Sequence, residues 1–236
     1  MLTIAIILLA AHAYGDFLLQ TDAIAQGKRH PGWLLLHSLI HGALAYVLIQ
    51  QWSAWRVPLA LIAMHAGIDA IKARRSRSAV TFAWDQAAHV VSIILLAVVA
   101  VQQGWVTPFA GIGGRWIVGF AGFAATVWGV GYFVGEVAER MFRENPALES
   151  IRHDGLLHGG KRIGQLERAF IFGLILAGEP TGIGFLIGAK SILRFEEAKK
   201  QHAAEYILIG TLWSFGLAML LAWLTRKALD AVDLLS

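Results

Sequence analysis

The sequence predicts an all-α fold, a polytopic membrane helical bundle with about eight (6–8) transmembrane segments. Three observations carry that expectation. Apolar residues make up 57% of the 236 positions, and mean hydropathy is +0.59. Charged residues make up only 15%, against about 25% in a typical soluble domain. Long apolar runs also recur along the whole chain, as repeated bilayer crossings require.

The first run, at about 2–20, contains "AHA" at 11–13, which resembles a small-x-small cleavage site. It lacks a basic leading region and continues through "GDFLLQ", so it is read as the first membrane helix. Further apolar segments fall at 32–50, 57–72, 81–102, 115–136, 163–178, 181–194 and 204–225. Crossing ~30 Å of hydrocarbon takes about 20 helical residues. The first, second, fourth, fifth and eighth segments meet that length. The third is short. The sixth and seventh are shorter and meet at Glu179-Pro180, which predicts a half-penetrating hairpin. Glycines at 119, 122, 129, 131 and 135 give the fifth helix a small-residue face for close packing. The polar stretch 138–162 predicts a cytoplasmic helix and loop. The expected organisation is a front four-helix half (1–104), a Gly-rich packing helix (105–137), the polar segment (138–162) and a back half (163–236).

The chain has no cysteine, which excludes disulfides, thiolate metal sites and cysteine nucleophiles. Net charge is +4, with the basic residues grouped between apolar runs. That grouping fits the positive-inside rule and a lipid bilayer partner, and argues against nucleic acid. Lys28 and Arg29 follow the first helix, and Lys72, Arg74, Arg75 and Arg77 follow the third. Arg140, Arg143, Arg152, Lys161 and Arg162 follow the fifth, whereas links 51–56 and 103–114 share one Arg. The basic links are expected in the cytoplasm and the N-terminus outside. With eight spans Arg226 and Lys227 end outside, a misfit to the same rule. Trp33, Trp52, Trp55, Trp84, Trp105 and Trp116 lie near expected helix ends, as an interfacial belt would.

Each front helix carries two chemically capable residues four apart: His12/Asp16, His37/His41, His65/Asp69 and Asp85/His89. Residues i and i+4 share a helix face and can converge on one ion. "HAYGD" and "HAGID" also resemble each other, which hints at an internal duplication. With alternating helix directions, all eight side chains fall roughly 4–14 Å from the cytoplasmic ends. His12, His41, His65 and His89 form an inner layer; Asp16, His37, Asp69 and Asp85 lie one turn nearer the cytoplasm. An unpaired carboxylate at a membrane helix centre costs roughly 2.5–3.5 kcal/mol even on the lenient insertion scale. A single membrane histidine is usually a hydrogen-bonding packing residue, but four pairs at one depth favour one or two divalent ions. Five imidazoles and three carboxylates suit zinc best, with manganese or iron as alternatives. Asp16 or Asp85 could serve as general base, and Tyr14, Gln20, Ser38 and Gln86 could orient the ligands.

The order H-x3-D…Q-x-D, H-x3-H, H-x3-D-x2-K and D-Q-x2-H resembles a bacterial membrane family catalogued as domain of unknown function 3307. In the back half "GKRIGQLER", "AKSILRF" and "AEYILIGTL" also resemble its members. The resemblance implies a bacterial inner-membrane location. A weaker similarity, H-x3-D on a membrane helix with further histidines, links the chain to membrane-bound metal-dependent hydrolases.

Lys161, Arg162, Arg168, Lys190 and Arg194 suggest a basic pocket for an anionic, phosphate-bearing or membrane-associated substrate. The competing expectation is snorkelling ends and Glu–Arg pairs. His153 and His158 read as loop residues, and "GIGFLIG" is not a phosphate loop. The leading function is a metal-dependent hydrolase at the cytoplasmic membrane face. A metal-ion or proton-coupled transporter or channel is the alternative, and a haem or quinone carrier a third.

Overall fold

The computed structural model describes residues 1–107, 113–146, 159–193 and 201–233. Among these residues all regular structure is helical. Helix α1 (Leu2–Tyr14) continues as a π-helical turn at Gly15–Leu19. Then come α2 (Asp22–Gly27), α3 (Pro31–Ile49), α4 (Arg56–Lys72), α5 (Ala79–Gln102) and α6 (Gly114–Ala124). A second π-helical turn, Ala125–Gly129, leads into α7 (Val130–Glu144). The remaining helices are α8 (Gly159–Ala177), α9 (Thr181–Leu193) and α10 (Gln201–Asp233).

Among the described residues, five helical stretches are long and apolar enough to cross a membrane: Leu2–Leu19, Pro31–Ile49, Ala79–Gln102, Gly114–Glu144 and Ala204–Val232. The expected count of about eight (6–8) is therefore not confirmed. α4 has 17 residues and α9 has 13, giving lengths of about 26 and 20 Å at 1.5 Å per residue. α8 is longer, with 19 residues, but carries Lys161, Arg162, Glu167 and Arg168 in its first half. Most of the apolar segments became helices close to where the sequence put them. The fifth runs on to Glu144, well into the stretch expected to be polar. His153, His158 and Arg194 lie outside the described residues.

Local chemistry explains the helix ends. Thr21 caps α2, and Ser78 caps α5 by accepting from the Thr81 N–H at 3.1 Å. Pro31 opens α3, where its missing N–H has no intrahelical partner to lose. α5 and α8 both finish on a left-handed glycine, Gly104 (φ +66°) and Gly178 (φ +84°). At Gly178 the Glu179 N–H reaches the Leu174 carbonyl and the Gly178 N–H reaches Ile175, a Schellman closure. That closure turns α8 into α9. Of the glycines in the fifth segment, Gly119 and Gly135 border open space, and Gly131 meets the Arg168 side chain.

The chain divides into two compact units, Met1–Ala124 with Lys227–Ser236, and Ala125–Arg226. In the first, α1 packs on α3 and α5, and α4 packs on the same two helices, closing a four-helix ring. One end of its interior is apolar, filled by Ile4, Ile7, Leu8, Ile49, Val57 and Ile93. At that end Gln51 clasps Thr107, donating to its carbonyl and accepting from its N–H, both at 2.9 Å. Leu35, Leu39, Val47, Leu59, Val91 and Leu95 are exposed on the outside. An outer surface this apolar suits hydrocarbon better than water. In the second unit Ile171, Ile183, Phe215 and Ala218 form a smaller core.

Candidate metal centre

The other end of the ring interior is polar. His12 and Asp16 come from α1 and its π turn, His37 and His41 from α3, His65 and Asp69 from α4, Asp85 and His89 from α5. All eight side chains are buried, at 0–6% exposure. The i, i+4 spacing puts each pair on the ring-facing side of its helix, so four helices deliver four pairs to one place.

Asp16 is the hub. Its Oδ1 lies 3.1 Å from His37 Nε2 and 3.2 Å from His41 Nε2. Its Oδ2 accepts from the Gln86 amide at 2.9 Å and lies 3.7 Å from His12 Nε2. Gln86 also touches His12 and Asp85, so it ties α5 to α1. Gly15 permits this crowding, because a Cβ there would run into the His41 ring. The imidazoles pack closely, with centroids 3.7 Å apart for His41 and His65 and 4.3 Å for His65 and His89. Two groups have ligand-type atoms within 4.8 Å of one another: Asp16, His37, His41 and His65, and His65, Asp69 and His89. His65 belongs to both, and either buried group could hold a metal ion.

The carboxylates are better compensated than the sequence suggested. Lys28 Nζ reaches Asp69 Oδ2 at 2.7 Å, and Lys72 Nζ pairs with Asp85. Both lysines were expected to serve as topology charges in the links. Instead their long stems fold back over the polar end of the ring. "H-x3-D-x2-K" contained Lys72, but nothing in the sequence tied it to Asp85 on another helix, or Lys28 to Asp69. With neutral imidazoles, three carboxylates and two ammonium groups leave one negative charge, centred on Asp16.

The histidine nitrogens supply the fit test for a cation. His89 Nδ1 lies 2.9 Å from the Asp85 carbonyl, which can only accept, so the proton sits on Nδ1. His89 Nε2 then presents its lone pair and has no hydrogen-bond partner among the described residues. Neither ring nitrogen of His65 has one either, although Nε2 lies 3.5 Å from Asp69 Oδ2. Buried polar atoms are nearly always paired, so an unpartnered lone pair on His89, grouped with His65 and Asp69, fits a cation.

Two of the residues expected to orient ligands do something else. The Tyr14 hydroxyl donates to the Ile117 carbonyl at 2.8 Å, tying α1 to α6. The Ser38 hydroxyl donates back to the Leu34 carbonyl of its own helix at 2.9 Å. Gln20 keeps a buried Oε1 without a hydrogen-bond partner.

The basic residues proposed for an anion all lie in the second unit, apart from Arg194 outside the described residues. Lys161 and Arg162 are exposed. Lys190 is paired with Glu167 at 2.8 Å. Arg168 is buried, donating to the Val127 carbonyl at 2.9 Å and the Ser214 hydroxyl at 3.1 Å.

No curated protein and no solved structure matches the chain. The back-half stretches that resemble the family lie beyond the segment its model covers. Residues 4–111, which hold all eight clustered side chains, match the family model described as Protein of unknown function (DUF3307).

Proposed function

We propose that the protein is an integral bacterial inner-membrane metalloprotein whose His/Asp cluster holds a divalent ion near the cytoplasmic face. The carrying observation is the lone-pair Nε2 of His89, which has no hydrogen-bond partner among the described residues and belongs to a group with His65 and Asp69. A proton on one imidazole would neutralise Asp16 but would leave this nitrogen without a partner. Zinc bonds of 2.0–2.1 Å place tetrahedral ligand atoms about 3.3 Å apart, close to the 3.1, 3.2 and 3.5 Å separations found here. A second ion is the finer possibility, with His65 shared between the two groups. Exposed Arg74, Arg75 and Arg77, at the α4 end that carries Asp69, support the cytoplasmic orientation.

The chemistry we favour is hydrolysis of a membrane-associated ester, amide or phosphoester. A bound divalent ion would supply an activated water and a polarised carbonyl or phosphoryl group. Asp16, held by Gln86 and facing three imidazoles, suits a ligand better than a base. Asp85 suits the base: its partner Lys72 has a side chain 31% exposed, so this rim is where solvent and substrate can approach. The tight enclosure of the rest of the cluster favours a second reading, a cation or proton relay in a transporter. Close ring packing, with centroids 3.7 Å apart for His41 and His65, argues against the third reading, a haem carrier.

Elemental analysis of the purified protein is the test. Near-stoichiometric zinc, manganese or iron is expected in wild type and in His202→Ala, and lost in Asp16→Asn and His65→Ala. A stable wild type free of metal rejects the proposal. Asp85→Asn separates the two chemistries: a hydrolase keeps its ion and loses turnover of a p-nitrophenyl ester or phosphodiester. A transporter shows cation uptake into proteoliposomes, abolished by Asp16→Asn.

A further inference from the structure

The second unit contains a cavity of about 480 Å³, a size typical of small-molecule sites. We propose that it binds an amphiphilic anion, with a phosphate- or carboxylate-type headgroup on Arg168 and an alkyl chain against the apolar wall.

The argument starts from the charge on Arg168. This guanidinium is 4% exposed, and its two contacts are a backbone carbonyl and a hydroxyl, both neutral. The carbonyl belongs to Val127, inside the π-helical turn Ala125–Gly129, where the widened turn disturbs the regular hydrogen-bond ladder. The nearest acid in sequence, Glu167, is already paired with Lys190. Among the described residues no carboxylate forms a salt bridge with Arg168. Glu167 is thus the acid facing two cations, Arg168 and Lys190, and one carboxylate cannot neutralise both.

Arg168 is part of the cavity lining. A Cβ on Gly131 would come within 2.7 Å of one terminal nitrogen and a Cβ on Gly164 within 3.0 Å of the other, so glycine at both positions leaves the guanidinium room. Trp128, Ile163 and Ile207 line the apolar side of the same cavity, and Glu136, Glu139 and Lys190 its polar side. Arg binds phosphate and carboxylate with two parallel N–H donors, and the apolar wall suits a chain rather than water. A free inorganic anion would use only half of these features.

The test uses full-length protein in dodecyl maltoside and radiolabelled dodecyl phosphate as probe. Saturable one-to-one binding is expected, with inorganic phosphate and dodecanol each competing at least roughly tenfold more weakly, since both headgroup and chain contribute. Arg168→Gln is expected to weaken binding roughly tenfold or more. Gly210→Leu fills open space beside a cavity-lining position and leaves Arg168 untouched; the same loss is expected, and it decides the matter should Arg168→Gln not fold. Absence of saturable binding, or unchanged affinity in either folded variant, overturns the proposal. So does equal competition by inorganic phosphate, which would mean a bare oxyanion site, or by dodecanol, which would mean an apolar hole. Asp16→Asn is expected to bind the probe normally, so this result and the metal analysis stand or fall separately.

Discussion

The α1–α3 hairpin and the α4–α5 hairpin bring similar residues to the same ring, yet they answer their acids differently. Asp69 and Asp85, on the second hairpin, sit in regular helix and are met by lysines. Asp16, on the first, sits in a π-helical turn and is met by imidazoles and an amide. The contrast separates two tasks. A lysine beside a carboxylate offsets the cost of burying it and so braces the fold by itself, tightly at Asp69 and more openly at Asp85. An acid surrounded by neutral nitrogens keeps its charge and could hold a cation.

The largest expected effect tests the bracing. Lys28→Met should leave Asp69 buried without its partner, and breaking a buried pair in this way costs about 3–5 kcal/mol. Lys72→Met should cost less. Its side chain is 31% exposed against 10% for Lys28, so water can support Asp85 once the ammonium is gone. Thermal melting in detergent measures both. Equal losses would mean that the two lysines do not differ in burial as described, and that the rim near Asp85 is not the open side.

A middle-sized effect tests the charge on Asp16. Gly15→Ala places a methyl group where the His41 ring lies. Overpacking of this kind costs about 1–3 kcal/mol, and here the ring that must move is one of the groups around Asp16. Metal content should fall together with stability. A variant that melts lower but keeps its metal would show that His41 packs beside the centre without joining it.

The i, i+4 spacing made four helices and eight side chains legible in the sequence, because a periodic pattern carries both the helix and its inward face. What lay outside that pattern was illegible for the same reason. The two lysines cross from links or other helices, and no local spacing encodes such a reach. A π turn adds a residue to a turn without any composition of its own, so neither Gly15–Leu19 nor Ala125–Gly129 announced itself. Tyr14 and Ser38 lay near the cluster in sequence, yet their hydroxyls found nearer carbonyls. Arg168 was visible as a charge; that its partners would be a carbonyl and a serine, with Glu167 turned to Lys190, depends on tertiary packing alone.

The smallest expected effect asks whether "HAYGD" and "HAGID" are equivalent. Gly67, in the second motif, lies one residue earlier relative to its histidine than Gly15 does, and a Cβ there would meet nothing within 4 Å. Gly67 sits inside α4, exposed, where glycine weakens a helix by roughly 0.5–1 kcal/mol relative to alanine. Gly67→Ala should therefore raise the melting temperature slightly and leave metal content unchanged, the opposite sign to Gly15→Ala. Were Gly67→Ala also to expel the ion, the two hairpins would be alike in function after all, and the distinction between a lysine-braced frame and an ion-seeking acid would fail where it is easiest to measure.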